Sequence, residues 1–319
     1  MRTAGARLFG VNALLQSMRR VKISTGVELD VAVHGDPGNP AILFLHGFPE
    51  SHRTWRHQLA ALSDQYYCIA PDQRGYRGSS KPSAVSAYST DKLTADIFAL
   101  ADAFGIEQFT IAGHDWGGAV AWSVALNGQP GGFRLQWAGR VTRAMIANAP
   151  HPCIYQRVLI NDPTQRASAQ YIRMFRDTAI DSVMATRGLF PVLQKAMNWT
   201  KPPAMEQEVY DDLRAGWQQP DTAFGMINWY RASQMVVPAI GEFCPVPDWA
   251  AADFPKLEIP TLLVWAMQDK ALPPSNIEGI EAFVPNIQIE RIEDCGHFVT
   301  WEQPQAVIAA MRAFLSQTG

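Results

Sequence analysis

The run Gly113-His114-Asp115-Trp116-Gly117-Gly118 sets a carboxylate in a tight glycine turn. It follows the apolar run Phe109-Thr110-Ile111-Ala112 and precedes a helix-forming run, Ala119 to Leu126. Strand, sharp turn and helix together lift a nucleophile out of the end of a sheet. A carboxylate in that place attacks carbon and leaves an alkyl ester, so the expected substrate is an electrophilic carbon and not an acyl group. Two later loops supply partners. His297 stands in Glu293-Asp294-Cys295-Gly296-His297-Phe298, and Asp269 ends Val264-Trp265-Ala266-Met267-Gln268-Asp269. An imidazole can activate water against the ester, while a carboxylate behind it fixes the tautomer and stabilises the imidazolium. Asp269 is the well-placed acid. Asp294 lies close enough along the chain to compete, whereas Asn148, at the end of another apolar run, is no carboxylate.

A second loop, His46-Gly47-Phe48-Pro49, directly follows Ala41-Ile42-Leu43-Phe44-Leu45. Glycine there lets backbone come close to a reacting group, and proline stiffens the exit. The amides of Phe48 and Trp116 are the expected oxyanion hole, acting when water attacks the ester carbonyl. His46, Pro49, His151 and Phe298 are expected to line the substrate pocket. No His/Cys cluster has metal-ligand spacing and no phosphate-type glycine loop appears, so neither a metal nor an organic cofactor is expected.

These residues need a scaffold that brings loop ends together. Residues 21–35 alternate apolar and polar, the pattern of an edge hairpin. Continuous apolar runs at 41–45, 66–70, 109–112, 142–147, 261–266 and 287–292 read as strands covered on both faces. Helical patterns at Trp55–Leu62, Thr90–Phe104 and Trp116–Leu126 fall between them. The expected class is α/β: a mostly parallel central sheet with helices on both faces and catalytic groups at the strand carboxyl ends. Strand signals stop between about 151 and 250, where Ser168–Arg176, Pro203–Trp217 and Phe224–Met235 read as helices. Residues 1–150 and 251–319 are therefore expected to form the core, and 151–250 an inserted helical cap, with Asn148-Ala149-Pro150-His151-Pro152 as the hinge.

At 319 residues and 47% hydrophobic, the chain can bury a large core. A net charge of −3 leaves no basic footprint, so nucleic acid is not an expected partner. No segment reaches the length of a membrane span. Met1 to Arg20, with four arginines around a weak apolar centre, reads as an amphipathic lead-in rather than an export signal. The four cysteines are scattered, which suits reduced, structural thiols and a cytoplasmic location.

Over essentially all of residues 20–319 the chain resembles the epoxide hydrolases of the α/β-hydrolase superfamily. The resemblance rests on His46-Gly47-Phe48-Pro49-Glu50-Ser51, Asp72-Gln73-Arg74-Gly75-Tyr76-Arg77-Gly78-Ser79-Ser80, Gly113-His114-Asp115-Trp116-Gly117-Gly118 and Gly296-His297-Phe298. It implies the α/β-hydrolase fold and opening of a small-molecule epoxide to a vicinal diol, without a cofactor. It also implies two cap phenols that protonate the oxirane oxygen. Tyr230, in Asn228-Trp229-Tyr230-Arg231, is similar to the second tyrosine motif and Tyr171 to the first; Tyr155 and Tyr210 are the other candidates. The aspartate is shared with haloalkane and haloacetate dehalogenases. A haloalkane site would need a halide donor such as Trp116 with Trp199, Trp217 or Trp229; a haloacetate site would need a carboxylate clamp, for which Arg173 is available. A non-enzymatic small-ligand receptor on the same fold is the reading of a different class. A homodimer is left open.

Overall fold

The computed structural model describes residues 18–197, 202, 204–251 and 253–317. Most of the lead-in expected over Met1 to Arg20, together with Trp199 and Pro203, lies outside them. The strands are β1 (Met18–Lys22), β2 (Glu28–His34), β3 (Ala41–Leu45), β4 (Tyr67–Pro71), β5 (Phe109–His114), β6 (Val141–Ala147), β7 (Thr261–Ala266) and β8 (Ile287–Ile292). They form one eight-stranded sheet in the order β1-β2-β4-β3-β5-β6-β7-β8. The β1–β2 and β2–β4 pairs are antiparallel and all others parallel. The fold class is the expected one.

Because strand side chains alternate, each continuous apolar run feeds two cores. Ile42 and Phe44 of β3 pack on one face, against α1 (Arg56–Leu62) and the C-terminal helix (Pro304–Leu315); Leu43 and Leu45 pack on the other. That second face is covered by α2 (Thr90–Ala103) and α3 (Trp116–Gly128), together with the helices inserted between β6 and β7. Register then decides what meets at the carboxyl edge. Leu45 pairs with Gly113, which brings the loop after β3 beside Asp115. Ala147 pairs with Val264, which sets Asn148 next to the end of β7.

Between β6 and β7 the chain forms α4 (Pro152–Asn161), α5 (Pro163–Ser168), α6 (Gln170–Arg176), α7 (Asp181–Arg187), α8 (Phe190–Met197), α9 (Gln207–Trp217), α10 (Pro220–Ala232) and α11 (Asp248–Ala251). This is more helix than periodicity indicated, and α10 begins and ends earlier than the expected Phe224–Met235. Two of the missed pieces open on proline at the first turn, at Pro152 and Pro163. Proline there starts a helix rather than breaking one. After β8 come α12 (Val299–Glu302) and α13 (Pro304–Leu315). Among the described residues no helix is long and apolar enough to cross a membrane.

Candidate active site

Asp115 sits between β5 and α3 with φ 51° and ψ −122°, a left-handed conformation that is strained for a residue with a side chain. The turn closes only because its neighbours are glycines: a Cβ on Gly117 would lie 2.3 Å from the Leu45 carbonyl oxygen. The same holds across the cleft, where a Cβ on Gly47 would come 2.5 Å from the Asp115 Cβ. That closeness lets the Phe48 amide donate to Asp115 Oδ1 at 2.7 Å. Trp116 is the first residue of α3, where backbone N–H groups have no partner inside the helix.

His297 faces both carboxylates. Its Nε2 lies 3.5 Å from Asp115 Oδ2, and its Nδ1 is 2.7 Å from Asp269 Oδ2. Asp294 is excluded as the partner: it is exposed and accepts from Gln268 Nε2 at 3.2 Å. Asp269 is anchored in turn by three donors. The Ala271 and Leu272 amides reach Oδ1 at 2.8 and 3.0 Å, and Asn148 Nδ2 reaches Oδ2 at 2.7 Å. Burial pushes the Asp269 carboxyl up, yet His297 and these donors hold it below the usual range. For Asp115, burial is likewise outweighed by the hydrogen bond and charge of His297, by His114 and by the Phe48 amide. Burial alone would depress His297, but the two carboxylates hold it well above its ordinary 6.5. Both carboxylates thus favour the charged form of the imidazole.

Asp115 and Trp116 open into a cavity of about 350 Å³ whose walls also include Tyr155, Tyr171 and Tyr230. Tyr171, on α6, and Tyr230, on α10, have ring centroids 5.9 Å apart. Tyr230 packs edge-on against Phe48 and Trp116, each at 5.1 Å. Burial raises both phenols well above 10; Tyr155 and Asp115 add to it at Tyr171, against a hydrogen bond with Tyr230, and Tyr171 and Asp115 add to it at Tyr230. Tyr210 packs on Trp217 instead and does not line the cavity. Among the described residues, none of the lining side chains is Lys, Arg or His, and no three His, Cys, Asp or Glu converge to hold a metal ion.

Residues 40–304 match the model of the alpha/beta hydrolase fold family. The chain belongs to that α/β-hydrolase family. It is 31% identical to "AB hydrolase superfamily protein YfhM" of Bacillus subtilis, over 89% of this chain and 93% of that one. It is 28% identical to "Epoxide hydrolase 3" of Xenopus tropicalis, over 92% of this chain and 76% of that one. A solved structure titled as novel epoxide hydrolases of the superfamily, from metagenomes of hot environments, is 52% identical. It superposes with a TM-score of 0.87, over 94% of this chain and 99% of that one.

Of the four residues expected in the pocket of this α/β-hydrolase, His46 and His151 are enclosed elsewhere, which corrects the expectation for those two. His46 is fully buried as a strut. Its Nε2 accepts from the Gln73 amide at 3.0 Å, which leaves Nδ1 as the donor to the Gly47 carbonyl at 2.9 Å. The Pro49 carbonyl accepts from the Trp217 indole at 2.7 Å, tying α9 to the loop. Phe298 stacks on Trp301 at 5.1 Å and lies edge-on to His297 at 5.0 Å. His151 lies in an aromatic box of Trp122, Phe254 and Phe283, stacked on the last at 4.6 Å.

His151 has a thermodynamic consequence. Neither ring nitrogen has a hydrogen-bond partner among the described residues, so burial, with Arg157 nearby, pulls its pKa down to about 3. The folded value lies below the unfolded 6.5, so this imidazole leaves stability intact above pH 6.5 and erodes it as pH falls from there toward 3. The full drop is up to about 5 kcal/mol at ~1.4 kcal/mol per pH unit. His151→Phe should therefore lose less stability than the parent chain between pH 7.5 and 4.5 in urea unfolding. Equal losses would show that the imidazole is not desolvated.

Three supporting residues were not legible as such. Glu50 and His114 stand inside the quoted motifs without an assigned role, and both are buried. His114 Nε2 sits 2.8 Å from the His297 carbonyl oxygen, and its Nδ1 lies 3.2 Å from Glu50 Oε2. Trp301 donates to the other Glu50 oxygen at 2.7 Å. His297 is thus held through its backbone from below as well as through its ring. Asn148, set aside for lacking a charge, adopts φ 40°, and its side chain bridges Asp269 to the Ala266 amide. Its position at a strand end was the available signal.

Proposed function

We propose that this chain hydrolyses epoxides to vicinal diols through an ester on Asp115. The observation that carries the reading is that one cavity is lined by the Asp115 carboxylate and the Tyr171 and Tyr230 phenols together. Asp115 Oδ1 is already engaged by the Phe48 amide, so Oδ2 is the attacking atom. As the C–O bond of the oxirane breaks, the departing oxygen takes its proton from a phenol. Phenols whose pKa stands above 10 are neutral at pH 7 and can donate. The new ester has no charge, so His297 loses one of the two carboxylates that hold its proton. Its pKa falls, and once the proton has returned to the phenolate the neutral imidazole can draw a proton from water. That water attacks the carboxyl carbon, with the oxyanion on the Phe48 and Trp116 amides, and the diol leaves with the second proton. Residues 151–250 act in this reading as a cap that carries the phenols.

The dehalogenase alternatives are less well supported. The Trp229 indole donates to the Arg74 carbonyl at 2.9 Å and the Trp217 indole to Pro49, so both are occupied away from a leaving halide. Arg173 donates to the Val237 carbonyl at 2.7 Å and does not line the cavity, which leaves a haloacetate carboxylate without a clamp there. Parallel turnover of styrene oxide, 1-bromobutane and fluoroacetate tests the assignment. The epoxide should be consumed at least 100-fold faster than either halide; faster halide release would overturn it.

A further inference from the structure

The cavity has a direction. Trp116, Ala119, Val120, Ser123, Leu126 and Asn127 all line it, and their spacing is that of one face of α3. Asp115 stands immediately before the first of them. From Trp116 to Asn127 is eleven residues, about 16 Å at ~1.5 Å per residue. At the far end Phe133 is both a wall residue and 61% exposed, and Thr90, Ala119, Gln234 and Trp249 are exposed wall residues as well. The nucleophile therefore lies at one end of a groove that follows the helix and is open to solvent along its course.

Length and volume agree on what fits. The volume of 350 Å³ is about a dozen units of ~30 Å³, close to the space of one water or one methylene each. A dozen methylenes in extended file advance about 1.3 Å apiece, since carbon–carbon bonds of ~1.5 Å zigzag, and so span about the length of the α3 face. A bulky polycyclic substrate would need the same volume in a shorter, wider shape. Asp115 is the one formally charged residue among the described lining residues, so the occupant is uncharged.

We infer that the preferred substrates are unbranched, uncharged terminal epoxides of about ten to twelve carbons, oxirane at Asp115 and alkyl tail along α3 toward Phe133. This rests on the epoxide reading above and deepens it. The wild-type chain should show kcat/KM rising about twofold to fourfold per added methylene from 1,2-epoxybutane to 1,2-epoxydecane, levelling near twelve carbons. 1,2-Epoxydodecane should be turned over at least tenfold faster than 6,7-epoxydodecane, an isomer of matched size and similar hydrophobicity whose two arms do not fit one groove. Ser123→Phe, two helical turns from the nucleophile, should cost the C12 epoxide at least tenfold more than the C4 epoxide. Turnover of styrene oxide and short epoxides, with no gain from chain length or no preference for the terminal isomer, would overturn the groove while leaving the epoxide reading standing. Absence of turnover on every epoxide would overturn both.

Discussion

His297→Gln, incubated with styrene oxide, should gain the mass of one epoxide per chain and keep it, whereas Asp115→Asn should gain nothing. The first step needs only a charged Asp115, an oxirane within reach and a proton for its oxygen. Loss of His297 removes a cation that helps keep Asp115 ionised. The Phe48 amide remains on Oδ1, and a carboxylate in these surroundings is still ionised at neutral pH unless its pKa climbs by about three units from ~3.9. Ester formation therefore survives. Ester hydrolysis does not, because glutamine cannot take a proton from water. Turnover in each variant should fall by about 10⁴-fold or more, the scale seen when a nucleophile or its base is removed. The two losses look alike in steady state and differ in mass. A His297→Gln chain with no adduct after prolonged incubation would mean that no covalent intermediate forms, and Asp115 would then be at most a base.

What the sequence could disclose follows from which interactions are local. The central strands were readable because burial on both faces demands apolar residues at every position, and the run at 41–45 shows this without exception, whereas β8, at the sheet edge, is not covered on both faces as expected. Asp115 was readable because the backbone bend at φ 51° excludes side chains from the residues packed against it, leaving a glycine pattern on either side. Glu50 and His114 form their pair only when β3 and β5 are neighbours, a fact of sheet order that no local window contains. His151 misled for the opposite reason. A histidine after a strand end, near a nucleophile, has the residue type of a pocket group, but the aromatic rings that enclose it come from Trp122, Phe254 and Phe283, far apart along the chain. Short helices such as Pro163–Ser168 carry too few turns to show a period at all.

The phenols give the second large effect. Tyr171→Phe and Tyr230→Phe should each slow ester formation by about 10-fold, and the double variant by about 10³-fold or more, within the range for loss of a positioned general acid. The combination should exceed the product of the single losses. Both hydroxyls serve one oxygen, so either can stand in for the other until neither is present, and residues that act as a unit are not additive. Tyr230 also packs against Phe48 and Trp116, whose amides form the proposed oxyanion hole, so a packing role has to be separated from proton donation. Phenylalanine keeps the ring and removes only the hydroxyl, which leaves those edge contacts in place. The separating measurement is single-turnover kinetics. Loss of one phenol slows the rise of the ester and leaves its decay close to wild type, since the remaining phenolate takes the His297 proton and water attack at the carboxyl carbon then needs only the neutral imidazole and the amides. A displaced oxyanion hole would slow the decay as well. If the double variant forms ester at the parental rate, the oxirane oxygen takes its proton from elsewhere, and Tyr155, the remaining phenol on the cavity wall, becomes the group to test.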